Sequence, residues 1–147
     1  MNAFEILMKD HREASSMMEQ LQGSGADRQT FLKLKEALTI HAEAEETIVY
    51  PALEEFEETE DQADHSYDEH AEVKSMLAQM GELEPTSEEF QTLLTELKTS
   101  VEHHVQEEET ELFPKGEKLL DESELQAMGQ EIMEFKQEGM SDSSAAI

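Results

Sequence analysis

The segment His41-Ala42-Glu43-Ala44-Glu45-Glu46-Thr47-Ile48-Val49-Tyr50-Pro51 returns later in the chain as His104-Val105-Gln106-Glu107-Glu108-Glu109-Thr110-Glu111-Leu112-Phe113-Pro114. The histidine, the Glu-Glu pair, the threonine and the proline match without a gap. Upstream of each copy lies a second matching piece. Asp10-His11-Arg12-Glu13 through Ser16-Met17-Met18 aligns with Glu69-His70-Ala71-Glu72 through Ser75-Met76-Leu77. Each half of the chain therefore reads as a helical hairpin, with a histidine on its first helix and H-x-x-x-E on its second. Two such hairpins related by an approximate two-fold axis would build a near-symmetric centre.

Outward from these segments, apolar residues recur at helical spacing and glycine and proline mark the breaks. A first helix is expected over about 3–21, stopping at Gly23-Ser24-Gly25. Asp27 caps a second helix running to about 57, with Pro51 near its end. The third spans about 61–80 and stops at Gly81. Pro85-Thr86-Ser87 opens the fourth, where Thr86 and Glu89 have capping-box spacing, and that helix reaches Phe113-Pro114 and a turn beyond. Asp121 and Glu124 open a short fifth helix to about 137. Short connections between long helices imply antiparallel neighbours. The expected fold is all-α, an up-down-up-down four-helix bundle with a short C-terminal fifth helix. One domain covers 1–140, and Ser141-Asp142-Ser143-Ser144 begins a disordered tail over 141–147.

Composition agrees and narrows the partners. A length of 147 residues suits one core, and three prolines and six glycines favour helix over sheet. The net charge of −27 repels phosphate backbones and anionic bilayers, so neither nucleic acid nor membrane is expected as a partner, whereas a metal cation is attracted. No motif points to a particular protein partner. The absence of cysteine excludes disulfides and thiolate metal sites within the chain. Met1 to Ile6 lacks the pattern of a signal peptide and no run is long and apolar enough to span a bilayer, so the expected location is the cytoplasm.

Helical spacing assigns the faces. The stripes read Phe4, Leu7, His11, Ala14, Met18, Leu21 on the first helix and Leu34, Leu38, His41, Glu45, Ile48 on the second. They continue as Ala63, Ser66, His70, Val73, Leu77, Met80 on the third and Phe90, Leu94, Leu97, Val101, His104, Glu108 on the fourth. Four histidines and two glutamates thus fall in the middle of apolar stripes. Burying them without partners would cost at least several kcal/mol, so something must satisfy them. His41/Glu45 and His104/Glu108 stand four apart and can each grip one centre. Imidazole with carboxylate suits Fe, Mn or Zn rather than Ca or Mg. Other residues read more simply. The nine methionines fill the core. His65 and His103 flank the stripe, facing solvent or standing behind the ligands. Glu107-Glu108-Glu109 is a solvated acidic face with only Glu108 inward, and Tyr50 and Phe113 are packing residues at the end of the core.

The order H … H-x-x-x-E … H … H-x-x-x-E over about 3–118, with E-E-x-x-x-[Tyr/Phe]-Pro closing the second and fourth helices, resembles the hemerythrin-like HHE cation-binding domain. The resemblance implies two iron ions with His11, His41, His70 and His104 as terminal ligands. Glu45 and Glu108 become bridging carboxylates, with a water-derived oxo or hydroxo group between the irons. Oxygen-carrying hemerythrins have a fifth histidine one turn before the ligand on their third helix, and here that position is Ser66. Tyr67 is the first candidate to replace it, His65 a weaker one, and Glu111 a carboxylate that adds to the site. The implied function is a non-haem di-iron protein that binds or reacts with dioxygen, peroxide or nitric oxide. The alternative is an iron or oxygen sensor, or a di-iron enzyme that decomposes peroxide or donates iron.

Overall fold

Four of the five helices begin on a side chain that caps them. In the computed structural model, which describes residues 1–145 with the last six as backbone alone, Asn2 and Glu5 form a reciprocal capping box at the start of α1 (Ala3–Gln20). Asp27 accepts from the Thr30 amide at the start of α2, which spans 28–53. Ser87 accepts from the Phe90 amide at the start of α4, which spans 88–119. Asp121 accepts from the Glu124 amide at the start of α5 (Glu122–Ala145). The fourth helix is therefore capped by Ser87 and not by Thr86.

The helix α3 (Glu57–Met80) starts earlier than its periodicity suggested, and α2 ends at Leu53 rather than near 57. Phe56 is extended there, and the buried Thr59 hydroxyl donates back to the Leu53 and Phe56 carbonyls, which closes the corner. The α1–α2 connection turns on Gly23, whose φ of +82° is open to glycine at no steric cost. Helix α5 is longer than expected, with helical backbone to Ala145; residues 146–147 of the expected tail lie outside those described.

Helices α2 and α4 are not α-helical throughout. Each widens into a single π turn, Glu45–Val49 and Glu108–Leu112, where the amides of Tyr50 and Phe113 bond five residues back to the carbonyls of Glu45 and Glu108. Each π turn lies just ahead of a proline, Pro51 or Pro114. A proline ring clashes with the carbonyl four residues back in an α-helix, and a wider turn relieves that clash. The inserted residue also rotates the side chains beyond it to new faces. Ile48, assigned to the stripe by regular spacing, is only half-buried, while Val49 and Tyr50 are completely buried.

The fold is an all-α bundle, α1 packing on α2 and α3 on α4, with α5 lying across α1 and α2. Two apolar cores fill its ends. One gathers Phe4, Leu7, Val49, Leu53, Phe113 and Ile132, the other Met18, Phe31, Leu34, Met80, Phe90 and Leu94. The four histidines fall between them, one on each of α1 to α4. Helix α5 approaches the beginning of α1 at Gly129, where a Cβ would sit 2.6 Å from the Met1 carbonyl oxygen and 3.0 Å from the Asn2 carbonyl carbon. Those neighbours are backbone and cannot rotate away. Gly129→Ala is expected to cost about 1–3 kcal/mol by forcing the two helices apart, read as a lowered midpoint in denaturant; an unchanged midpoint would mean that α5 does not seat on α1 in this way. Among the described residues no helix is long and apolar enough to cross a membrane.

Candidate metal centre

His11, His41, Glu45, His70, His104 and Glu108 all meet in the layer between the two cores, each less than a tenth exposed. His11 and His41 come from the first hairpin, with ring centroids 4.9 Å apart and planes crossing at 64°. His70 and His104 come from the second and repeat that arrangement, at 4.9 Å and 66°. The carboxylates bind the halves together. Glu45 Oε1 lies 3.1 Å from the Nε2 of His41 and 3.1 Å from that of His70. Glu108 places Oε1 3.1 Å from His11 Nε2 and Oε2 3.3 Å from His104 Nε2. Thus each glutamate touches one histidine of each hairpin, as the repeat and the four-residue spacing require.

The outward nitrogens are held just as regularly. His41 Nδ1 donates to Asp10 at 2.9 Å, His70 Nδ1 to Glu46 at 2.8 Å, His104 Nδ1 to Glu69 at 2.9 Å and His11 Nδ1 to Glu109 at 2.7 Å. An ionised carboxylate only accepts, so each ring must carry its proton on Nδ1 and aim the Nε2 position at the centre. The pattern is a closed circuit: α1 supplies the carboxylate for α2, α2 for α3, α3 for α4, and α4 for α1. Sequence reading placed Glu109 on a solvated face, but it reaches back to His11 while remaining a third exposed. Asp10 also pairs with Lys136 from α5.

Four of the five buried side-chain atoms left without a hydrogen bond among the described residues are His11 Nε2, His41 Nε2, Glu45 Oε2 and Glu108 Oε1. All belong to this layer. Some approach one another closely but lack the alignment a hydrogen bond needs. Orphaned lone pairs converging in one place are expensive unless a cation takes them. His11, His41, Glu45 and Glu108 offer atoms within 4.8 Å of one another, and so do Glu45, His70 and His104. The residues present therefore fit a metal, and the donor set of imidazoles and carboxylates suits a transition ion.

Protons compete with a cation for these imidazoles. Burial pulls the His41 imidazole down, but Glu45, Asp10 and Glu108 outweigh it and push it up to about 10. Burial likewise opposes the charge on His70 and His104, yet Glu45 with Glu46 and Glu108 with Glu45 and Glu69 raise both. Glu45, despite burial, is held well below the usual carboxylate range by the His41 charge and by hydrogen bonds from its neighbours.

One residue at the centre was missed. The Tyr50 hydroxyl donates to Glu108 Oε2 at 2.6 Å and stands 3.2 Å from His70 Nε2 and 3.4 Å from His104 Nε2. Its ring stacks on His70, as Phe113 stacks on His11 in the other half. Burial, then the charges of Glu45 and Glu108, raise this phenol well above 10, and the nearby Ser66 hydroxyl opposes the rise. The three residues suggested for the missing ligand do not reach the centre. Tyr67 packs on Tyr50 but turns its hydroxyl to Glu54 at 2.9 Å, and His65 and Glu111 are exposed. The available signal was the one break in the second repeat at an aromatic position, Tyr50 against Phe113.

Residues 2–116 match the hemerythrin HHE cation-binding domain family. Among curated proteins, a DNA nickase from Nostoc sp. is 33% identical over 116 residues, covering 77% of this chain and 33% of that protein. An uncharacterised hemerythrin-like protein of Schizosaccharomyces pombe is 32% identical over 126 residues, covering 82% of this chain and 62% of its own length. The chain thus spans a third of the first relative and under two thirds of the second. No solved structure matches the chain significantly. The chain belongs to the hemerythrin HHE cation-binding domain family.

Proposed function

We propose that this HHE domain is a non-haem di-iron protein that binds or reacts with dioxygen, peroxide or nitric oxide. The observation that carries the reading is the pair of half-sites sharing two carboxylates, with orphaned atoms in both carboxylates and both imidazoles of the first hairpin. In this reading His11 and His41 would hold one ion and His70 and His104 the other, with Glu45 and Glu108 available to both. Tyr50 would stand beside the His70–His104 half, on the side of Ser66, the position of the fifth histidine of oxygen-carrying hemerythrins. Iron bound there supplies exchange between ferrous and ferric states with a position open to a small ligand.

The protein's own part is orientation, exclusion of water and access. The carboxylate circuit fixes every imidazole, and the two apolar cores close the layer from above and below. A cleft of about 880 Å³ reaches all four histidines past Leu38, Val73, Val101 and Val105. Its apolar walls suit a neutral diatomic or peroxide better than a charged substrate. The net charge of −27 opposes DNA as a partner, whatever the Nostoc protein does with it.

Metal analysis with absorption spectra before and after exposure to air, peroxide and nitric oxide tests the reading. About two irons per chain, one for each half-site, with bands that change on exposure, support it; one zinc, or a fully folded protein with no metal, would sink it. Tyr50→Phe is expected to keep the iron but to alter the visible absorption, and to cost about 0.5–1.5 kcal/mol for the lost hydrogen bond. An unchanged spectrum would leave Tyr50 as a donor to Glu108 only.

A further inference from the structure

A second cluster lies outside the bundle, directly behind the centre. His65 and Glu69 stand four apart on α3, and His103 and Glu107 stand four apart on α4. Such pairs share one face of a helix and reach a common point. His103 Nε2 lies 2.7 Å from Glu107 Oε1 and 4.0 Å from Glu69 Oε2. His65 Nε2 lies 3.8 Å from the same Glu69 oxygen. His65, Glu69 and Glu107 present ligand atoms that all fall within 4.8 Å of one another. A tetrahedral ion with bonds of about 2.0–2.2 Å sets its ligand atoms roughly 3.4 Å apart, so small side-chain rotations would complete the site.

We propose that His65, Glu69, His103 and Glu107 form an outer site for a divalent transition metal ion such as Zn²⁺. Two imidazoles distinguish it from an ordinary acidic patch: they add nitrogen donors, which favour Zn²⁺ and its neighbours over Ca²⁺ or Mg²⁺. The two imidazoles are more than half exposed, so an ion can enter from solvent, while Glu69 and Glu107 are largely covered and already placed. Glu69 faces both ways. Its Oε1 accepts from His104 Nδ1 at 2.9 Å, and its Oε2 points to His65 and His103. An ion held outside therefore shares a carboxylate with a histidine of the inner layer.

The test is a Zn²⁺ titration of the purified protein by calorimetry, with its resident metal quantified first, against His65→Ala/His103→Ala. Glu69 is left intact because its loss would also disturb His104. Wild type is expected to take up one Zn²⁺ per chain that the double variant does not, its affinity there being at least tenfold weaker. Thermal melting of the two should coincide, since both histidines are exposed. Equal zinc uptake at equal affinity by both proteins, or no uptake by wild type beyond the inner centre, overturns the proposal. Failure of the di-iron reading is seen separately in the resident metal. An inner layer that is empty or holds another ion contributes equally to both titrations.

Discussion

Glu45→Gln is expected to strip the centre of its metal and to destabilise the metal-free protein by about 3–5 kcal/mol near pH 6, the usual cost of removing one partner from a buried ion pair. The side chain is fully buried and lies 3.1 Å from His41 and His70 and 3.9 Å from His104. Glutamine keeps its size and removes the countercharge. The penalty should have a defined pH window. His41 rises from 6.5 to about 10 on folding, so its contribution is complete below about 6.5 and is lost as pH climbs towards 10. Glu45 falls below its ordinary 4.5, so its contribution is complete above about 4.5 and is lost as pH drops through its folded value. The difference between wild type and variant should peak between about 4.5 and 6.5. It should shrink on the alkaline side, where wild type loses the His41 charge beside the buried carboxylate. Denaturant unfolding of both metal-free proteins across pH measures it, and equal stabilities at pH 6 would refute it. Metal reverses the alkaline trend. Ligation needs unprotonated imidazole, so uptake expels the His41 proton and metal-bound stabilisation grows with pH.

How much of this the sequence reveals depends on which residues obey helical arithmetic. The six inward side chains follow from the repeat and from spacings of three and four, which an α-helix converts directly into a shared face. Tyr50 does not. It stands five residues after Glu45, off that face in a regular helix, and only the π turn at Glu45–Val49 brings both inward. The sequence does contain the cause of the turn, Pro51, but a proline signals a break in the α pattern without saying whether the chain will end, kink or widen. Ile48 and Val49 exchange burial for the same reason.

The outer carboxylates fail to announce themselves for another reason. Asp10, Glu46, Glu69 and Glu109 each sit immediately beside an inward ligand candidate in sequence, and neighbours in sequence point away from the shared face. Their partners lie on the next helix, so no spacing within one helix exposes them. In a chain with 37 acidic residues a carboxylate at those positions carries little information by itself. Only the geometry separates the four that hold a ring nitrogen from the many that face water. The repeat pairs Asp10 with Glu69 and Glu46 with Glu109, and the geometry gives each pair the same role.

That circuit leads to the second large effect: Glu46→Gln and Glu109→Gln should each weaken metal retention about 10–100-fold, the range typical of residues that orient a ligating histidine. Both carboxylates are about a third exposed, so neither substitution should disturb folding greatly. The loss arises from the tautomer. A carboxylate can only accept, which forces the proton of His70 or His11 onto Nδ1 and leaves the inward Nε2 lone pair free. A glutamine amide can also donate. It then allows the ring to hold its proton on Nε2, pointing an N–H at the place where a cation should be. Chelator competition measures the affinity, and the ¹⁵N shifts of the ring nitrogens in the metal-free variants report the tautomer. Glu43→Gln, a change at an exposed position on the same helix as Glu46, is the control and should leave both readouts unmoved. If Glu46→Gln and Glu109→Gln also match wild type in both, the circuit does not orient the imidazoles and the layer is set by packing alone.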